Sequence, residues 1–72
     1  MAVTRRIAEF DIVELIEPVD EAPAGARGGV LELRPHDTAM IEITEPPLDA
    51  AARIVFVPLA KLRVIDVRSS AG

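Results

Sequence analysis

The chain has 72 residues, enough for one small domain, which at this size buries only about 60–65% of the surface its unfolded form exposes. It has no cysteine, so a disulfide framework and a thiolate metal site are excluded, and a net charge of −4 opposes a phosphate-backbone partner. Half of the residues are apolar, yet only Phe10 and Phe56 are aromatic, so the interior has to be built from Ile, Val and Leu, whose β-branched members favour strands.

In chain order, residues 1–9 read as an N-terminal arm, and Met1-Ala2-Val3-Thr4-Arg5-Arg6 has no apolar stretch behind it before Glu9, unlike a secretion signal. Phe10 to Ile16 is rich in β-branched residues and is followed by Pro18, which favours a strand over a helical turn. Glu17 to Gly29 carries Pro18, Pro23, Gly25, Gly28 and Gly29, the composition of a loop that reverses tightly at its glycines. Val30 to Arg34 is a second strand with Leu31 and Leu33 expected inward and Glu32 outward. Arg34-Pro35-His36-Asp37 is a turn, and Ala39 to Ile43 resumes the alternation with Ile41 and Ile43 inward and Met40 and Glu42 outward.

Glu45 to Ala52 is a longer connection. Its two prolines forbid a ladder, and Leu48 to Ala52 has the composition to close one helical turn. Arg53 to Val57 is apolar at four successive positions, the pattern of a strand covered on both faces. Pro58 to Lys61 suits a single 3₁₀ turn, Leu62 to Val67 is the last strand, and 68–72 is a flexible tail. Five short strands over residues 10–67 imply an all-β fold, a small five-stranded SH3-like bent barrel with one 3₁₀ turn before the last strand. The expected interior is Ile12 or Val13, Leu31, Leu33, Ile41, Ile43, Phe56, Leu62 and Val64.

Phe10-Asp11-x-Val13-x-Leu15-x-Glu17, then Gly25-x-x-Gly28-x-Val30-x-Glu32, then Val57-Pro58-Leu59-x-x-Leu62-Arg63 resembles a family of short bacterial proteins known only as a domain of unknown function and predicted to be SH3-like barrels. The resemblance spans Phe10 to Ile65 and departs from the family at Gly29 and in the long connection at 45–52. It implies the barrel, carries no established activity, and favours a companion of another protein.

Chemistry is sparse. There is no Cys, Asn, Gln, Tyr or Trp, and the protic groups are Thr4, Thr38, Thr44, Ser69, Ser70, Lys61 and His36. One turn histidine beside Asp37 does not make a nucleophile–base pair, and one imidazole is too few for zinc, so catalytic, metal and cofactor residues are expected to be none. The glycine segment lacks the Lys-Ser/Thr of a phosphate-binding loop and feeds a strand rather than a helix. Glu14, Glu32 and Glu42 read as the wet faces of three strands rather than an acidic docking stripe, with Arg53 and Arg63 pairing to such carboxylates.

The expected function is therefore a non-catalytic protein-interaction module in the cytoplasm, covered by another protein or a second copy of itself. No small-molecule substrate is implied. A membrane span is not expected, since the longest uncharged apolar stretch, Ile54 to Ala60, is far short of the ~20 residues one needs. With Phe56 inward as the larger residue, Val55 and Val57 are expected on the surface with Met40 beside them, as the partner-binding residues. The alternative is a nucleic-acid-binding barrel of the ribosomal or transcription-factor type, which the acidic balance opposes.

Overall fold

A computed structural model describes residues 7–66; the expected arm up to residue 6, Val67 and the tail at 68–72 lie outside the described residues. The elements run β1 (Ile12–Leu15), β2 (Arg27–Arg34), β3 (Thr38–Glu45), β4 (Ile54–Pro58), a 3₁₀ turn (Leu59–Lys61) and β5 (Leu62–Asp66). All strand pairs are antiparallel, in the order β4-β3-β2-β1-β5. This is the five-stranded SH3-like bent barrel, with the 3₁₀ turn before the last strand.

The eight-residue β2 is the shared strand. Its first part, Arg27 to Gly29, lies between β1 and β3, while its second part pairs with β3 alone. The β2–β3 register slips at Arg27/Gly28 and again at Val30/Glu32, and such bulges bend a strand and increase its twist. The ends are tied by the Leu59 N–H donating to the Asp37 carbonyl at 2.8 Å and the Ile16 N–H donating to the Lys61 carbonyl at 2.9 Å.

The glycines divide their work differently from the expectation of turns at both. Gly25, at φ +89°, is the third residue of a tight turn in which the Ala26 N–H donates to the Pro23 carbonyl at 3.0 Å. That position of a type II turn requires the left-handed region. Gly28 instead lies inside β2 with no positive φ, and is needed for space. A Cβ there would sit 2.2 Å from the Glu42 carbonyl oxygen and 3.0 Å from the Ile43 Cα. The β2–β3 hairpin closes through His36 and Asp37, both left-handed at φ 63° and 53°, where a few polar residues tolerate what a β-branched one does not. The 45–52 connection closes no helical turn. It holds a cis Glu45–Pro46 bond and a β-turn in which the Ala52 N–H donates to the Asp49 carbonyl at 2.8 Å.

The hydrophobic core of the described residues is aliphatic: Val13, Leu15, Val30, Ile41, Ile43, Val55, Val57 and Leu62, filled in by Ala22, Ala26 and Ala39, with Val64 packed partly buried against them. Val13 rather than Ile12 faces inward. Three expected core residues lie outside. Leu31 is the extra residue of the Val30/Glu32 bulge, so Val30 takes the inner place. Leu33 regains the register opposite fully buried Ala39, next to the hairpin end, and is 42% exposed. Phe56 is exposed because β4 presents its other face to the interior.

Among the described residues, Asp11 is the one buried charged residue, 1% exposed. Its Oδ2 accepts from the Ala8 N–H at 2.9 Å while its own N–H donates to the Ala8 carbonyl at 3.2 Å, closing a turn that holds Phe10 at φ 73° ahead of β1. A carboxylate with a fixed local donor stabilises such an irregular entry to a strand, where an apolar residue would leave the turn amide unpaired.

Candidate functional site: the outer face of β3 and β4

On β4 the burial pattern alternates strictly. Val55 and Val57 are 2% and 0% exposed, whereas Ile54 and Phe56 are 41% and 55% exposed. The register sets this. Val55 lies opposite Ile41 and Val57 opposite Ala39, both fully buried on β3, while Phe56 lies opposite half-buried Met40 and Ile54 opposite Glu42. Facing residues of paired strands share a side of the sheet, so the inward Ile41 and Ile43 of β3 commit the valines inward.

Val55 and Val57 are therefore core residues, not surface contacts, and correct the expected partner-binding set. Of that set only Met40 lies on the outer face. The site the structure brings together is Met40, Ile54 and Phe56. The larger side chain, Phe56, lies outside and the smaller valines inside. The register on β3, rather than side-chain size, sets the inward face of β4, with Val55 and Val57 opposite fully buried Ile41 and Ala39.

The carboxylates alternating with the core do not form a free acidic stripe. Glu32 is paired with Arg34 at 3.2 Å and Glu42 with Arg53 at 3.9 Å. Glu14 lies between two arginines on neighbouring strands, with its Oε1 2.6 Å from Arg63 Nη2 and its Oε2 3.9 Å from Arg27 Nε. The register places Glu14 opposite Arg27 on β2 and opposite Arg63 on β5, so this row joins three strands. The hydrogen bonds from Arg63, aided by the charges of Arg63 and Arg27, hold the Glu14 carboxyl below its ordinary value of 4.5.

A group whose folded-state pKa is lowered stabilises the fold fully above its ordinary pKa. That contribution is lost as pH falls from 4.5 through the lower folded value. Glu14→Gln is accordingly expected to lie below wild type in denaturant midpoint at neutral pH, with the gap closing as pH falls below 4.5. A gap that stays constant across that window would show that Glu14 acts through packing instead.

A shallow open depression of about 230 Å³ lies beside the outer face, lined by Glu42, Ile43, Thr44, Pro47, Leu48 and Arg53. Arg53 spans it, donating to the Leu48 carbonyl at 3.4 Å. His36 is exposed at the hairpin tip. Among the described residues, no group of three or more His, Cys, Asp or Glu residues is placed to hold a metal ion, and no helix is long and apolar enough to cross a membrane.

No family model matches the chain, and no curated protein or solved structure matches it.

Proposed function

We propose that this protein is a non-catalytic interaction module that works in the cytoplasm as a companion or subunit of another protein, of the kind its resemblance to the short bacterial barrels suggests. Its contact surface is the outer face of β3 and β4. The observation that carries this reading is the exposure of Phe56 and Ile54 beside Met40, in a chain whose buried core has no aromatic residue at all. An exposed aromatic on a rigid strand costs little conformational entropy to fix on binding, which makes it an anchor for a contact rather than a component of stability. The acidic balance, and the pairing of Arg34, Arg53 and Arg63 to carboxylates among the described residues, weigh against a nucleic acid as the partner.

Capture from an extract of the native host tests this reading. Tagged wild type is expected to retain a protein that tagged Phe56→Lys loses at least about tenfold, equivalent to ~1.4 kcal/mol. Equal retention by the two would remove the outer face from the function.

A further inference from the structure

Among the described residues β4 is a sheet edge, and its Ile54 and Phe56 side chains are exposed. The Ile43 N–H donates to the Arg53 carbonyl and the Leu59 N–H to the Asp37 carbonyl, both at 2.8 Å. Bonding on an antiparallel strand alternates by residue, so Arg53, Val55, Val57 and Leu59 face β3. The amide and carbonyl groups of Ile54 and Phe56 then point to the side on which no described strand pairs. Unpaired groups of this kind specify their occupant, an extended strand.

The two edges of the sheet differ. β5 carries exposed Arg63, follows Lys61, and has an irregular register at Ile12/Val13, all features that discourage edge pairing. β4, Ile54-Val55-Phe56-Val57-Pro58, has no charge along its length and only Pro58 as a stop.

Resting on the interaction-module reading, we infer that the occupant of the β4 edge is the β4 edge of a second copy, antiparallel about a two-fold axis at Phe56. In that register each Phe56 exchanges both backbone bonds with the second copy's Phe56. Each Ile54 N–H donates to the second copy's Pro58 carbonyl, and Pro58, having no N–H, ends the ladder. Val55 lies opposite the second copy's Val57 and Ile54 opposite its Pro58, so no charge opposes a like charge. The Met40–Phe56 rows of the two copies meet as one apolar strip across the axis. Three partly exposed side chains per copy supply well under the ~800 Å² that each partner gives to a standard interface, so the association is of the weak, reversible kind.

Sedimentation of wild type from micromolar to millimolar protein is expected to show the apparent mass climbing towards twice that of the monomer. Phe56→Lys and Ile54→Lys, both at exposed positions, are expected to keep their folded spectra and to remain monomers throughout. The chain has no native cysteine, so Phe56→Cys is a single reporter. Paired Cα atoms at a bonded antiparallel site lie about 5.5 Å apart, within disulfide reach. Phe56→Cys is expected to form a covalent dimer on air oxidation several-fold faster than Arg63→Cys on the other edge. A wild type that stays monomeric to millimolar, association unchanged in both lysine variants, or equal oxidation rates in the two cysteine variants would each overturn the pairing. The capture experiment reads a different protein, so its result stands or falls independently of this one.

Discussion

Gly28→Ala is expected to cost about 3 kcal/mol or more, lowering the melting temperature by roughly 15 °C, the largest effect of any single methyl group added to this protein. The added Cβ would lie 2.2 Å from the Glu42 carbonyl oxygen and 2.9 Å from its carbon. Backbone rather than a flexible side-chain end is in the way, so the β2–β3 pair has to separate where β2 also carries β1. Against a total stability of roughly 4–11 kcal/mol for a domain of this size, much of the margin is lost. Gly25→Ala is strained by its positive φ, but it meets nothing closer than 4.0 Å. Thermal melts of the two variants should therefore separate a steric requirement from a conformational one. If Gly28→Ala melts within a few degrees of wild type, the close approach of β2 to β3 is wrong.

Val57→Lys is expected to leave the chain unfolded, whereas Phe56→Lys, one residue away, stays folded with a stability change of about 1 kcal/mol or less. Val57 is fully buried opposite Ala39, and a lysine there must either take an ammonium into an aliphatic interior or expel the strand. Phe56 already meets solvent, so its replacement removes no core volume. Circular dichroism of the pair reads the result directly. A folded Val57→Lys together with an unfolded Phe56→Lys would mean that β4 presents the opposite face.

The valines of β4 also explain how much of the molecule could be read before its structure. Strand order along the chain, the 3₁₀ turn after Pro58 and the inward facing of Ile41 and Ile43 were all legible, because each depends on local chemistry. β-branched runs, a proline that cannot donate and a two-residue period are properties of a few neighbouring residues. The pairing of Arg53 and Arg63 with strand carboxylates was legible for the same reason, since alternation alone puts both signs on the wet face.

What stayed hidden in the sequence are the places where one strand must be placed against another. Ile54 to Val57 is apolar on both sides of its alternation, so its own pattern is equally content with either face inward. Only the β3 register, Val55 on Ile41 and Val57 on Ala39, selects one. A period of two carried unbroken through β2 puts Leu31 inward and Val30 outward, the reverse of what the structure has. The bulge at Val30/Glu32 inserts one residue and resets the phase, and a bulge answers the bend of the whole sheet rather than any signal at Leu31. Gly28 follows the same rule. Its need for glycine comes from the Glu42 and Ile43 backbone fourteen and fifteen residues away in sequence, brought within contact by the pairing of β2 with β3. Local chemistry specified which segments become strands and turns, and the packing of those strands against each other specified which side chains stay exposed.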